Sequence, residues 1–316
     1  TITGVNGNAD DIFNVDGATM GAATFSVGAD AILQGTAAQL TGVTATGVGA
    51  TAITALDDTA TANLGNITTT TVTAAVGLSN NTVTFTGNLG KADVTITGVN
   101  GNADDIFNVD GANMGTATFS VGYAILQGTA AQLSGVTATG ENGTTAITAL
   151  HLTAAADLSG IDTAITTAAF DGDGIFTGIL DDAVVTVGDG VTMTAAAKIV
   201  AGETINKVGS GALAVTVGTA DAVVDLTTIG GTAISSVTVT EDVTFTGTLH
   251  GTVQTAVEGG DTLTATAATV TGKTIVEVSE GATTAITALD DTAAANLGKI
   301  TTTTVTAAVG LSDETV

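Results

Sequence analysis

The chain contains no cysteine, no proline and no tryptophan. Without cysteine there are no disulfides and no thiolate metal sites, which suits a protein exported without oxidative folding. Aromatic residues are 3% of the 316 positions, one Tyr and eight Phe. A wide globular core leans on such rings for much of its buried area, so their scarcity argues for narrow, tightly stacked layers instead. Basic residues are equally scarce: five, all lysine (91, 198, 207, 273, 299), against 31 acids, for a net charge of −26. That charge repels nucleic-acid phosphates and anionic lipid headgroups, so no nucleic acid is expected as a partner, and it attracts cations. No apolar run approaches the roughly 18 residues of a membrane span, and no basic segment leads into an apolar one as an export signal would.

Gly, Ala, Thr and Val fill the space left. The apolar share of 44% is too high for disorder, and the branched Cβ atoms of Thr and Val favour pleated strands. The strongest signal is repetition. Residues 1–28 return at 95–122 with two changes, Thr19 to Asn113 and Ala22 to Thr116. Residues 50–83 return at 283–316 with five. Self-similarity of this kind points to stacked units rather than one globular core. The spacing divides the chain into repeat units at 1–94 and 95–173 and divergent β-repeats at 174–242 and 243–316, one continuous array. Both ends fall inside the pattern, so the expectation is an excerpt of a longer repetitive protein.

Along the chain, 31–40 has apolar residues at helical spacing with a glycine in the middle, a short helix or a corner. In 53–64, Ile53, Leu56, Ala60 and Leu64 recur near a 3.6 period and Gly65 stands where a C-cap would, so a helix is expected there and in the copies at 147–158 and 286–297. A smaller signature, Phe-Thr-Gly-x-Leu, begins at Phe85, Phe176 and Phe245. Val237-Thr-Val-Thr and Val243-Thr-Phe-Thr alternate strictly, as half-buried strands do. Glycine-rich turn clusters punctuate the rest. The fold class expected is all-β, an elongated parallel β-solenoid with short helical or irregular corners, Val, Ile, Leu and Ala inward and Thr and Asp outward. The alternative is a string of tandem β-sandwich units. Tyr123 and the eight phenylalanines (13, 25, 85, 107, 119, 170, 176, 245) are read as core.

Candidate sites follow from the acids. Calcium takes six to eight oxygens, commonly from clustered Asp, Asn and main-chain carbonyls. The dense cluster Asn6-Gly-Asn-Ala-Asp10-Asp11-Ile-Phe-Asn14-Val-Asp16-Gly17 offers Asn8, Asp10, Asp11, Asn14 and Asp16. Its copy offers Asn102, Asp104, Asp105, Asn108 and Asp110. Asp171 with Asp173, and Asp181 with Asp182, are further acidic pairs. The competing reading is an Asx-rich surface turn that binds nothing. Asp57-Asp58 and Asp290-Asp291 sit where they would favour a helix N-terminus. His151 and His250 lack a second histidine or a cysteine, so neither zinc nor an activated nucleophile is indicated, and no catalytic residue is assigned.

In composition the chain resembles bacterial surface-layer proteins and large secreted repeat adhesins. Asn206-Lys-Val-Gly-Ser-Gly-Ala-Leu-Ala-Val215 is similar to the Lys-x-Gly-x-Gly-x-Leu-x-Leu unit of autotransporter β-helices. Gly7-Asn-Ala-Asp10-Asp11-Ile-Phe13 and 101–107 resemble degenerate forms of the Gly-Gly-x-Gly-x-Asp calcium repeat of RTX-type proteins. The resemblance implies export, a bacterial cell-surface location, calcium dependence and a parallel β-solenoid. The function expected is that of a non-catalytic structural subunit of an extracellular assembly (surface layer, sheath or filament), self-associating into a homopolymer or lattice. The alternative is an adhesin stalk or ligand-binding solenoid, with cell-surface polysaccharide as its partner.

Overall fold

The computed structural model describes residues 1–3, 11–99, 104–291 and 294–309. Strand accounts for 45% and helix for 9%, with parallel strands stacked into a β-solenoid of about 14 turns. Neighbouring strands pair in parallel throughout the described residues. This removes the tandem-sandwich alternative, whose sheets are antiparallel. One turn of the coil is short: side-chain hydrogen bonds between adjacent coils join residues 18 to 26 apart.

The chain divides into two compact units, Thr1–Leu150 with Ala156–Ala168 and His151–Ala155 with Ala169–Val316. In the first, strands Asp11–Asn14, Ala31–Gly35, Ala50–Ile53, Thr71–Gly77, Asp93–Thr97, Thr118–Gly122 and Thr137–Thr148 stack in sequence order. In the second, Gly174–Phe176, Thr192–Ala196, Ala212–Val217, Ile234–Val239, Thr255–Val257 and Ile275–Glu277 stack on one wall, and Val243–Phe245, Thr262–Thr266, Thr283–Thr287 and Thr304–Ala307 on another.

Alternation sets the core. In Thr71–Gly77 the side chains of Val72, Ala74 and Val76 are buried and those between them exposed, the period-2 pattern of a strand with one face inside. The interior is thin and mostly Val, Leu, Ile and Ala, with Phe85, Phe107, Phe119, Phe170, Phe176 and Phe245 fully enclosed. Phe13 and Tyr123 are not core, being exposed, and Phe25 is half-buried. Tyr123 also occupies a left-handed backbone position, φ 44°. A polar stitch recurs inside. The hydroxyls of Thr51 and Thr69 lie 2.9 Å apart, those of Thr145 and Thr163 3.1 Å, and those of Thr284 and Thr302 2.9 Å. The second member of each pair donates onward to a main-chain carbonyl, of Thr71, Ile165 and Thr304. Each buried hydroxyl is thereby satisfied.

The Phe-Thr-Gly-x-Leu signature is a stacking corner. Its Phe and Leu are buried in all three copies. The Thr N–H of each copy donates over 2.7 Å to a carbonyl one coil earlier, Thr86 to Ala60, Thr177 to Ala154 and Thr246 to Ala222. The Thr hydroxyl reinforces the same bond. A Cβ on Gly87 or Gly247 would run into the carbonyl oxygen of Ala62 or Val224, so only glycine lets the two backbones approach.

The 31–40 stretch holds both a strand, Ala31–Gly35, and a one-turn helix, Ala37–Leu40. Thr36 and Gln39 form a capping box: the Thr36 N–H donates to Gln39 Oε1 at 2.9 Å and the Gln39 N–H to Thr36 Oγ1 at 3.4 Å. The copy at Thr129 and Gln132 repeats it. The expected helix over 53–64 does not form. Ile53 ends the strand Ala50–Ile53, and the next amides turn to neighbouring coils, Thr54 N–H to Gly35 O at 3.0 Å and Leu56 N–H to Ala75 O at 2.8 Å. In the copies Ala149 and Ala288 adopt φ 52° and 46°, and only three-residue 3₁₀ turns follow, Leu150–Leu152 and Leu289–Asp291. The apolar spacing is real, but it marks successive corners pointing inward. Without the helix, the N-terminal dipole expected to favour Asp57 is absent; its Oδ1 instead accepts the Gly77 N–H at 3.3 Å.

Candidate functional site

The two Asn/Asp clusters are the first place to look. Asn8, Asp10 and Asn102 lie outside the described residues. Asn14 Oδ1 accepts the Asp16 N–H at 2.8 Å, and Asn108 Oδ1 accepts the Asp110 N–H at the same distance. Both are Asx turns closing a strand. Asp11 opens its strand half-exposed, and Asp16 and Asp104 are exposed. Asp105 goes the other way: it is fully buried, with Oδ1 accepting the Asn80 N–H and Oδ2 the Val99 N–H, each at 2.6 Å. The strand between them explains the split. Asp105, Phe107 and Val109 face the interior while Asn108 and Asp110 face away. One turn therefore keeps Asn108 with Asp110, whose Oδ1 is buried and has no hydrogen-bond partner, and Asp105 leaves the cluster.

The other acids are distributed rather than gathered. Asp171 Oδ1 lies 2.5 Å from His151 Nδ1. The contact is close but does not have the geometry of a hydrogen bond. The imidazole packs edge-on against Phe170, 6.2 Å between centroids. Asp173 Oδ1 accepts the Thr192 N–H at 2.7 Å. Asp181 and Asp182 both take left-handed backbone, φ 50° and 65°. They stand beside Glu203, which sequence reasoning missed because it belongs to the next coil. Burial first, then the charge of Asp182, push the Glu203 carboxyl above its ordinary range. Among the described residues no three His, Asp or Glu side chains gather as a metal-holding group.

Most of the described acids that make hydrogen bonds do the same thing: they accept from the coil beside them. Asp189 Oδ1 takes the N–H and hydroxyl of Ser210, each at 2.8 Å. Asp221 holds the N–H groups of Lys198 and Gly218 at 2.9 and 3.0 Å. Glu241 takes the N–H of Thr219 at 3.0 Å and its hydroxyl at 3.1 Å, and Asp242 the Thr262 N–H at 2.7 Å. Glu277 takes the N–H and hydroxyl of Thr303. At Asp189 and Glu241 these bonds favour the ionised form. Asp189 is lowered by the Ser210 amide and then its hydroxyl, and Glu241 by the Thr219 amide and then its hydroxyl. Asp157 and Asp225 are lowered by local bonds to Ser159 and Thr227, the hydroxyl contributing more than the amide. Coil edges carry amides the ladder does not use, and carboxylates cover them.

His250 is likewise structural. Its Nδ1 accepts the Val253 N–H at 3.1 Å, and burial followed by the charge of Lys273 lowers its pKa. Neither histidine is hydrogen-bonded to a hydroxyl among the described residues. An open groove of about 610 Å³ is lined by Asn113, Met114, Thr116, Gln132, Ser134 and Thr137 among others, none of them titratable. A smaller depression of about 350 Å³ holds Glu141 and Asp162. No described helix is long and apolar enough to cross a membrane. No protein-family model matches the chain, and no curated protein or solved structure is detectably similar to it.

Proposed function

We propose that the chain is a non-catalytic structural subunit of an extracellular, cell-surface assembly, such as a surface layer, sheath or filament. The observation that supports this most is the use of the acids. Asp105, Asp173, Asp189, Asp221, Glu241, Asp242 and Glu277 bind main-chain amides of neighbouring coils. Catalysis needs acids and bases that converge with a reactive partner, whereas these tie one coil to the next. A net charge of −26 then asks for counter-cations. The oxygens at the two Asx turns, Asn14 with Asp16 and Asn108 with Asp110, are the ones through which calcium would be held.

Electron microscopy with calcium and after chelation tests this reading. Ordered sheets or fibres in calcium are the expected result, and their dissolution on chelation supports the cation's part in it. Ordered assemblies indifferent to chelation remove calcium and leave the structural role. Single particles under both conditions overturn assembly. One observation favours a second reading: the neutral hydroxyl- and amide-lined groove at Asn113, Thr116, Gln132 and Ser134 suits a polysaccharide. Single particles that bind glycans would promote it.

A further inference from the structure

We propose that the groove between 112–118 and 131–137 binds a neutral glycan through its acetamido groups, as in a polymer of N-acetylhexosamine. This rests on the polysaccharide reading of that groove and names the chemistry of the ligand. The groove exists because two stacked corners are not laddered together. Corner 112–117 is bonded to the coil before it: the Asn113 N–H donates to Gly87 O at 2.9 Å and the Thr116 N–H to Gly90 O at 2.7 Å. On its other side lies the one-turn helix Ala130–Leu133, which keeps its bonds local, Ser134 N–H to Ala130 O at 2.9 Å. Gly135 then bonds onward, its N–H to Asp157 O at 2.8 Å. Among the described residues no main-chain hydrogen bond crosses from 112–116 to 131–136, and a gap opens between the corners.

The polar side chains lining the gap share one character. Asn113 Oδ1 accepts the Gly115 N–H at 3.2 Å, Gln132 Oε1 the Thr129 N–H at 3.1 Å and Ser134 Oγ the Asp157 N–H at 2.9 Å. Those amides fix which end of each carboxamide is the oxygen. The oxygens are thus engaged in turns and caps, and the NH2 groups of Asn113 and Gln132 and the hydroxyl proton of Ser134 remain to donate. The ligand must supply acceptors. They should be uncharged, because a chain of net charge −26 repels anions. Met114 and Val136 line the same groove and add apolar surface. A carbonyl next to a methyl, the acetamido group, matches donors next to apolar surface. A sugar hydroxyl leaves the apolar part unused.

Internal repetition supplies an independent observation. Residues 1–28 return at 95–122 with two substitutions, Thr19 to Asn113 and Ala22 to Thr116, and residues 31–47 return at 124–140 with one, Thr41 to Ser134. Asn113, Thr116 and Ser134 all line the groove. The changes exchange a hydroxyl for an amide at 113, add a hydroxyl at 116 and remove a methyl at 134. The cap does not need the last of these, since Thr41 Oγ1 accepts the Asn63 N–H at 2.9 Å just as Ser134 accepts that of Asp157. The two copies therefore differ in what this groove offers a ligand, not in how its cap is held.

The test uses the whole chain with its methionine methyls labelled for NMR. It is titrated with a β-1,4-linked tetramer of N-acetylglucosamine and, in parallel, with cellotetraose, which has the same linkage but hydroxyls in place of acetamido groups. The three methionines are Met20, Met114 and Met193, and Met20 is the counterpart of Met114 in the first copy. The acetylated tetramer should shift Met114 more than Met20 and leave Met193 unmoved, and cellotetraose should bind about tenfold more weakly. At neutral pH, Asn113→Asp and Gln132→Glu keep the oxygen that accepts the turn or cap amide and lose the donor. Each should weaken binding about tenfold with circular dichroism unchanged. Equal affinity for the two tetramers overturns the acetamido assignment and leaves the polysaccharide reading standing. If neither sugar moves Met114, both fail. If Met114 shifts but both variants bind as the wild type does, the donors are not the contact and the proposal falls.

Discussion

Residues 11–28 and 105–122 differ at only two positions, yet they live in different surroundings. Phe13 is 47% exposed, whereas its copy Phe107 is 0%. Phe25 is half-buried and its copy Phe119 buried. The rings find different partners too. Phe13 packs on Phe25, 6.1 Å between centroids, while Phe107 packs at the same distance on Phe85 from the preceding coil. Strand Thr82–Thr84 lies under Ile106–Asn108, with Val83 opposite Phe107. No described strand lies under Asp11–Asn14. Burial in this fold is conferred by the neighbouring coil, as expected where each unit contacts only the next. The inward pattern is written in the repeat; whether it is rewarded depends on position in the stack.

Truncating the paired phenylalanines should separate the copies most. Phe107→Ala is expected to cost about 3–5 kcal/mol and Phe13→Ala less than about 1 kcal/mol, read as urea midpoints. Equal losses would mean that the first coil is covered in solution. Next come the aspartates. Asp105→Ala takes the buried acceptor from the Asn80 and Val99 amides and should cost about 2–4 kcal/mol. Asp11→Ala, at the corresponding half-exposed position, should cost well under half of that. Equal effects in thermal melts would break the assignment of Asp105 as an interior acceptor.

A smaller change exploits the one-residue difference after the two copies. Asp30 and Tyr123 hold the same left-handed corner, φ 61° and 44°. Asp tolerates that conformation and Tyr does not, so Tyr123→Gly should stabilise by about 1 kcal/mol. A loss of stability would show that the exposed ring makes contacts worth more than the strain.

The smallest effects concern pH and lie outside the two copies. Asp157, Asp189, Asp225 and Glu241 all have carboxyls lowered in the folded state. Their contribution is complete above the ordinary carboxylate range and is lost as pH falls through it, because the unfolded chain then binds more protons. His250, lowered by burial, acts in the same sense as pH falls past the ordinary histidine range. Glu203 has the opposite sign: its raised pKa favours the fold while protonated, and that contribution is lost as pH rises. Hydrogen exchange at falling pH should therefore loosen the coils around 189–241 before those around 105–122. Glu203→Gln should raise neutral-pH stability by roughly 0.5 kcal/mol, since much of the charge is solvent-screened. No change at residue 203 would mean that its charge is already neutralised by a cation.

Much of the fold was legible because its signals are local. Alternating Val and Thr gave strands, and the recurrence of Phe-Thr-Gly-x-Leu was visible, while its role as a corner whose glycine admits the coil below came from the structure. The failures share one cause. At 53–64 the inward spacing of Ile53, Leu56 and Leu64 imitates a helix, since successive corners of a narrow coil and successive helical turns recur at similar intervals. Only the partners of the Thr54 and Leu56 amides, on Gly35 and Ala75, tell them apart. The environment of the acids likewise depends on the pleat and on the next coil. A cluster contiguous in sequence is divided by the pleat, with Asp105 inside and Asn108 and Asp110 outside, and Glu203 meets Asp182 from a different coil.

The sequence by itself determined that this chain is β-rich, repetitive and narrow, because branched small residues, absent proline and scarce aromatics leave few other ways to bury a surface. Only the tertiary structure decided which phenylalanine of an identical pair is buried, which aspartate turns inward and which backbone amides it satisfies. Those outcomes depend on what the coil above or below presents, and that neighbour lies about twenty residues away, beyond the reach of any local pattern.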